Sequence, residues 1–154
     1  WLDPLLVKLQ AETICRELSR VDPINQGFYE ANLGLFVDEL EELHRELNGT
    51  FQKLAVKNLM VFHPAWGYLT DRYGLRQIPI ELEGKEPGPQ ELAKIIEIGK
   101  KHDIRVVFIQ SQFNTEVAQA IAQALDGKIV AMDPLAEDYL YNMRSIARII
   151  KEEL

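Results

Sequence analysis

A long helical stripe dominates the first third of the chain. Between residues 25 and 54, large apolar side chains recur at spacings of three and four, which one face of an α-helix presents and a strand cannot. The stripe consists of Tyr29, Leu33, Phe36, Leu40, Leu43, Leu47, Phe51 and Leu54. The opposite face is charged, and no proline interrupts the segment. The pattern predicts a helix of about 45 Å, or about 35 Å if Asn48-Gly49 ends it, long enough to span a domain of this size.

A second amphipathic helix is predicted upstream of the long one. Asp3 and Pro4 combine an N-cap carboxylate with a proline at the first helical position. Apolar residues then recur at helical spacing as far as Val21, and Asp22-Pro23 ends the pattern. The first third of the chain is therefore predicted to hold two helices and no strand.

From residue 58 onward, short apolar runs alternate with helical patterns. The predicted strands are residues 58–62, 78–82, 104–109 and 128–132, and the predicted helices follow Pro64, begin at Pro89, begin at the cap Asn114, and cover 138–153. Strands that alternate with helices are connected by right-handed crossovers and pair in parallel. The predicted fold is therefore α/β: a four-stranded parallel doubly wound sheet with helices on both faces, preceded by two helices, one of them the long one.

Composition excludes several classes of protein. The 154 residues suit one domain, and a net charge of −7 without a local basic cluster argues against a nucleic-acid partner. The single cysteine, Cys15, cannot form an internal disulfide, and no apolar run approaches the length of a membrane span. The chain begins at Trp1 instead of Met, so we expect that the natural N-terminus has been removed.

Candidate chemistry rests on position, because the phosphate-loop, dinucleotide, nucleophile-elbow and Cys-x-x-Cys motifs are missing from the sequence. Ligands of doubly wound sheets bind at the carboxyl ends of the strands. His63, Gln110 and Asp133 follow the first, third and fourth predicted strands. An imidazole and a carboxylate suit a borderline divalent cation such as zinc, but two ligands are too few for a zinc site. A capping role for His63 and a turn role for Asp133 therefore remain open.

Two further groups of side chains have simpler interpretations. His44 falls on the polar side of the long helix and is expected to be solvated. Three aromatic residues, Trp66, Tyr68 and Tyr73, are expected to pack the helix that follows His63 onto the sheet.

Four stretches of the chain resemble one family. They are Trp-Leu-Asp-Pro at 1–4, Asp-Pro-Ile-Asn at 22–25 with Tyr29 and Asn32, Val-Phe-His-Pro-Ala-Trp-Gly-Tyr at 61–68, and Met-Asp-Pro-Leu-Ala at 132–136. In this order and at this spacing they are similar to the metal-binding receptors of bacterial and archaeal zinc and manganese ABC importers, the cluster-9 solute-binding proteins. The resemblance implies two α/β lobes joined by one long rigid helix, with the metal bound in the cleft.

The resemblance also implies a division of the chain and a set of ligands. Residues 1–21 would be the last helix of an N-terminal lobe missing from this chain, 22–56 the linking helix, and 57–154 the C-terminal lobe. His63 matches the first ligand of that lobe, which is His in zinc-type receptors and often Glu in manganese-type ones, and Asp133 matches the second. The other two ligands would be histidines of the N-terminal lobe, one of them two residues before the Trp that matches Trp1.

The function implied by the resemblance is to capture a divalent metal ion outside the cytoplasm and to deliver this ion to the membrane permease of an ABC importer. The resemblance implies zinc in preference to manganese. The receptor would be periplasmic or lipid-anchored at the cell surface, and no enzyme. With half of the site, this chain alone would bind Zn²⁺ or Mn²⁺ weakly or not at all, and its exposed first helix would favour self-association. Two alternatives remain: a chelatase-like enzyme of related two-lobed fold, and a binding or adhesion module without metal.

Overall fold

The chain begins with a hairpin of two helices. The computed structural model describes residues 1–81, 84–110 and 116–154. Helix α1 covers Pro4–Val21, a single 3-10 turn covers Pro23–Asn25, and helix α2 covers Gln26–Phe51. Asp3 caps α1, since its Oδ1 accepts a hydrogen bond from the backbone N–H of Leu5 at 3.0 Å. Helix α2 passes Asn48 and Gly49 without a break and is about 39 Å long, so the predicted long helix is confirmed.

The apolar stripe of α2 is buried along only part of its length. The side chains of Leu40, Leu43, Leu47 and Phe51 are fully buried, whereas the earlier members of the stripe are partly exposed. Helix α2 packs on α1 and on the last helix of the chain, and the side chain of Tyr73, in a helix that follows the first strand, also contacts it. The long helix therefore joins the N-terminal hairpin to the rest of the chain.

The rest of the chain forms one parallel sheet with helices on both faces. The strands are β1 (Asn58–Val61), β2 (Arg76–Pro79), β3 (Val106–Ile109) and β4 (Lys128–Ala131), in the spatial order β2-β1-β3-β4. The helices are α3 (Gly67–Tyr73), α4 (Pro89–Lys101), α5 (Glu116–Ala124) and α6 (Tyr139–Glu153). Every pair of neighbouring strands is parallel, which confirms the predicted fold class.

Alternate residues of the central strands enter two separate cores. Leu59 and Val61 of β1 lie in the core formed with α2, α3 and α6, whereas Met60 lies in the core formed with α4 and α5. Both faces of a strand are buried in this arrangement, which explains its continuous apolar sequence.

The second strand is the element whose predicted position differs most. It covers Arg76–Pro79 instead of 78–82, and the predicted end at Leu82 lies outside the described residues. Strand β2 is at the edge of the sheet, where polar side chains are tolerated, so Arg76 and Gln77 concealed its beginning. Hydrogen bonds to β1 nevertheless continue past the strand, from Ile80 N–H to Val61 O and from Glu81 N–H to Phe62 O, both at 2.9 Å.

Helix boundaries elsewhere agree closely with the sequence patterns. Gly74 ends α3 in the left-handed conformation at φ 68°, and Asp138 caps α6. The predicted cap Asn114 lies outside the described residues, and α5 is described from Glu116 onward. Within the described ranges, no helix has the length and apolar character that a bilayer crossing requires.

Candidate metal site

Three of the residues singled out from the sequence lie along one edge of the sheet. His63 lies two residues beyond the end of β1, Gln110 follows β3 directly, and Asp133 lies two residues beyond β4. Strand β3 separates β1 from β4, and neighbouring strands are about 4.8 Å apart, so β1 and β4 are about 10 Å apart. Gln110 is therefore placed between the other two.

A cavity of about 450 Å³ opens at this edge. It is lined by Trp1, Leu2, His63, Pro64, Ala65, Gly67, Tyr68, Gln110, Pro134 and Leu135. Asp133 is partly buried and is not among these lining residues, although the two residues that follow it are. The structure thus brings His63 and the turn after Asp133 to a single cavity.

Tyr68 is largely exposed beside this cavity and does not pack on the sheet. Trp66 and Tyr73, in contrast, are buried as expected.

His63 is hydrogen-bonded to a carboxylate that sequence reasoning missed. Its Nδ1 lies 2.6 Å from Oε2 of Glu81, whose side chain is only 8% exposed, whereas the imidazole is 38% exposed. A carboxylate accepts hydrogen bonds, so the ring donates from Nδ1. A signal was available in the sequence, because Glu81 is the only charged residue in the apolar run 78–82 and stands near its carboxyl end.

The turn that carries Asp133 is held by three hydrogen bonds. Its Oδ1 accepts from the backbone N–H of Leu135 at 2.9 Å, and its backbone carbonyl accepts from Nδ2 of Asn142 at 2.7 Å. The carbonyl of Pro134 accepts from the indole Nε1 of Trp1 at 3.0 Å. With Oδ1 committed to this Asx turn, Oδ2 is the carboxylate oxygen suited to bind a cation.

The first residues of the chain join the long helical hairpin to the cavity. Besides the bond from Trp1, Asp3 Oδ2 lies 2.8 Å from Nε and 2.7 Å from Nη2 of Arg72, on the helix that follows His63. The Asp3 side chain is only 4% exposed and that of Arg72 is 35% exposed, so the ion pair is buried on its carboxylate side. The Trp-Leu-Asp-Pro stretch therefore contacts both chain segments that frame the cavity.

His44 is not simply solvated, contrary to the expectation from its place on the polar side of the helix. The imidazole is partly buried, and its Nδ1 lies 3.2 Å from the hydroxyl of Tyr73. Burial, and then the nearby charge of Asp3, raise the pKa of Tyr73 above its usual value, so the phenol stays protonated. This contact fastens the long helix to α3 and takes no part in the cavity.

Gln110 is the most unusual polar residue of the cavity wall. Only 6% of its surface is exposed, and its Nε2 has no hydrogen-bond partner among the described residues. A buried amide donor without a partner costs about 1–3 kcal/mol, so its place in the cavity wall calls for an explanation.

The donor set suits a divalent metal but is incomplete. A neutral imidazole and a carboxylate oxygen are both common zinc ligands, and zinc sites in proteins use at least three. Across residues 1–81, 84–110 and 116–154, no group of three or more His, Cys, Asp or Glu side chains could hold a metal ion. Within these ranges, His63 and Asp133 therefore have no third side chain of these types with which to hold one.

Comparison with known proteins identifies the family. The family model described as "Zinc-uptake complex component A periplasmic" matches residues 1–153, almost the entire chain. The chain belongs to this family of zinc-uptake component A proteins, the ZnuA family. The resemblance to solute-binding proteins of metal ABC importers is thereby confirmed.

Individual members of the ZnuA family agree in sequence and in structure. The high-affinity zinc uptake system protein ZnuA of Bacillus subtilis is 29% identical over 137 residues, which are 88% of this chain and 43% of that protein. A crystal structure of ZnuA is 44% identical and superposes with a TM-score of 0.97 over 99% of this chain and 58% of that one.

A third relative extends the comparison to a protein with two activities. The laminin-binding protein Lmb of Streptococcus agalactiae, described as a bifunctional protein with adhesin and metal transporting activity, is 28% identical. Its TM-score is 0.92 over 99% of this chain and 62% of that one. The chain therefore spans about half the length of the relatives that it matches.

Proposed function

We propose that this chain is the part of an extracytoplasmic metal receptor that supplies His63 and Asp133 as two ligands of a captured divalent cation. The receptor delivers the cation to the permease of an ABC importer. The observation that carries the proposal is the single cavity that contacts both His63 and the turn after Asp133, in a chain that matches the zinc-uptake family from residue 1 to residue 153.

The cation is zinc in preference to manganese. Imidazole nitrogen is a good ligand for zinc, whereas manganese favours carboxylate and other oxygen ligands, and zinc also stands above manganese in the general affinity order of divalent ions. A histidine at position 63 therefore gives the site more zinc character than a glutamate would. The names of the related uptake proteins support this choice.

The rest of the metal site lies in a second lobe outside this sequence. Two ligands leave zinc with coordination positions for water, while a closed site has four protein ligands. The described residues hold no complete set, and the relatives are about twice as long as this chain. We propose that the additional length of the receptor contributes the remaining two ligands, held in place through the long helix α2.

Location and chemistry follow from the same proposal. A receptor that feeds a permease acts outside the cytoplasm, in the periplasm or attached to the cell surface. The cation is the cargo, and no reaction is catalysed. The family model and the Bacillus subtilis relative are named for zinc uptake, which gives no support to a chelatase-like enzyme. Adhesion is favoured by one observation, the second activity in the name of the streptococcal relative, and an additional adhesive role is compatible with metal capture.

Zinc titration by calorimetry tests the proposal. It compares this chain with the receptor extended to the full length of its relatives, here called the extended receptor. We expect this chain to bind zinc with micromolar or weaker affinity and the extended receptor at least a thousandfold more tightly, because preorganised ligands avoid the ordering cost.

The substitution His63→Ala should reduce the affinity of the extended receptor far more than that of this chain. His102→Ala is the matched control, because His102 follows α4 at the end of that helix remote from the cavity lining. Nanomolar zinc binding by this chain alone would contradict the two-lobe proposal. Equal effects of the two substitutions would contradict the role of His63.

Self-association is a separate part of the proposal. Helix α1 leaves Leu9, Ile14 and Leu18 exposed, although the helix packs against its hairpin partner α2. Exposed apolar faces of this size favour association. We expect size-exclusion chromatography with light scattering to show dimers or larger species of this chain at high concentration, and a strict monomer would contradict it.

A further inference from the structure

We propose that Glu81 is a positioning residue for metal capture, which fixes the tautomer and the orientation of the His63 imidazole. This inference rests on the proposed function, because it takes His63 as a ligand of the cation. The observation that carries it is the contact of 2.6 Å between Nδ1 of His63 and Oε2 of Glu81, a carboxylate that is almost completely buried.

The position of Glu81 relative to His63 is determined by the sheet. The backbone N–H groups of Ile80 and Glu81 donate to the carbonyls of Val61 and Phe62, each at 2.9 Å, so the chain beyond β2 remains paired with the chain beyond β1. His63 is the next residue after Phe62. The carboxylate and the imidazole are therefore carried by two adjacent, hydrogen-bonded segments, and the distance between them does not depend on a surface loop.

The contact decides which ring nitrogen can bind a cation. A neutral imidazole has one N–H group and one nitrogen with a lone pair, and the hydrogen bond made by one nitrogen sets the state of the other. A carboxylate oxygen accepts the N–H of Nδ1, so the lone pair is on Nε2. In metal sites, a carboxylate often accepts a hydrogen bond from one nitrogen of an imidazole whose other nitrogen binds the metal. The carboxylate then orients the ring and increases the basicity of the metal-binding nitrogen. Loss of such a carboxylate typically lowers metal affinity by about 10–100-fold.

Another glutamate of the same chain provides a matched control. Glu91 accepts an equally short hydrogen bond, 2.6 Å from the backbone N–H of Gly88 to its Oε2, but it is exposed and caps the start of α4. Replacement of Glu91 by Gln disturbs a short carboxylate hydrogen bond without touching His63. A general loss of stability and a specific loss of ring positioning can thus be distinguished.

The first measurement is the tautomer of His63 in the metal-free chain. Long-range ¹⁵N–¹H correlation spectra of histidine-labelled protein, at a pH where the ring is neutral, show which nitrogen carries the proton. We expect Nδ1–H in the wild type, a loss of this preference in Glu81→Gln and Glu81→Met, and no change in Glu91→Gln. A wild-type ring protonated on Nε2, or a tautomer unaffected by both Glu81 substitutions, would overturn the inference.

The second measurement is the zinc affinity of the extended receptor, by competition with a chromophoric chelator. Glu81→Gln, which preserves the size of the side chain, should lower the affinity about 10-fold, and Glu81→Met up to about 100-fold. Glu91→Gln should leave it unchanged. If His63→Ala weakens zinc binding and the Glu81 substitutions do not, positioning by Glu81 is refuted and the proposed function stands. If His63→Ala has no effect on zinc binding, the proposed function fails, and with it the inference that depends on it.

Discussion

The unpaired amide of Gln110 leads to a prediction about stability. Gln110 follows β3 directly, and only 6% of its surface is exposed. Its Nε2 lacks a hydrogen-bond partner within the described part of the chain. A buried donor left unsatisfied costs about 1–3 kcal/mol, because the group loses its water without gaining a partner. Methionine has nearly the same length and no donor, so Gln110→Met removes the cost and keeps the volume. We expect the free energy of unfolding to increase by about 1–3 kcal/mol.

Urea denaturation followed by circular dichroism measures this change. With a denaturant slope of about 2 kcal/mol/M, the midpoint should rise by about 0.5–1.5 M, and the slope itself should stay unchanged. The melting temperature should rise by about 2–4 °C for each kcal/mol, as is usual for domains of 150–250 residues. Gln123→Met is the control, because Gln123 is exposed on α5 and its replacement should change stability by less than about 0.5 kcal/mol.

Two results would refute the reasoning about Gln110. An unchanged or reduced free energy of unfolding in Gln110→Met would mean that the amide is hydrogen-bonded in solution. An equal increase in Gln123→Met would mean that methionine stabilises the chain for a reason unrelated to burial. A gain confined to Gln110 would identify a polar group that the cavity retains at the expense of stability, as functional sites often do.

Three further predictions follow from the described contacts. Tyr139→Phe should stabilise the chain by about 1 kcal/mol at neutral pH, because the buried hydroxyl has no partner among the described residues. Burial raises the pKa of Tyr139, so the stability of the wild type should fall as the pH rises above about 10. The fall should be less steep in the Phe variant, and urea titrations at several pH values check both effects. Gly127→Ala should lower the free energy of unfolding by about 1–3 kcal/mol or more in the same assay, since its Cβ would lie 2.1 Å from the carbonyl oxygen of Arg105. Gly49→Ala is the control, because it faces open space on α2, and it should raise the free energy of unfolding by about 0.5–1 kcal/mol. His63→Glu should narrow the preference of the extended receptor for zinc over manganese in a competition titration, and equal affinities before mutation would refute the zinc assignment.

Periodicity in the sequence was sufficient for most of the fold. The spacing of three and four along α2 and the cap at Asp3 are local signals, and the structure confirms the helix that each predicts. The continuous apolar runs of the central strands indicated burial on both faces, and with the intervening helices they led to a parallel sheet. The edge strand was harder, because Arg76 and Gln77 remain partly exposed to solvent and carry no apolar signal.

The candidate site was only half accessible to sequence reasoning. His63, Gln110 and Asp133 could be placed at one edge because the ends of parallel strands meet there, whatever the details of packing. Glu81 could not be assigned to His63 in this way. The pairing depends on which strand lies beside β1, a choice made by long-range packing, and 18 residues separate the two side chains in the sequence.

Tertiary structure also decided the environment of residues whose local pattern was ambiguous. His44 lies among polar neighbours in the sequence, but the approach of α3 brings the hydroxyl of Tyr73 to its ring. Gln110 resembles an ordinary polar residue at the end of a strand, but the fold buries its amide, and no described residue pairs with its Nε2. The sequence by itself determined most of the secondary structure and the parallel sheet, since these follow from hydrogen-bond geometry and from the pattern of apolar and polar residues along short segments. Contacts between side chains far apart in the sequence were decided only by packing, because they depend on how complete elements fit together in three dimensions.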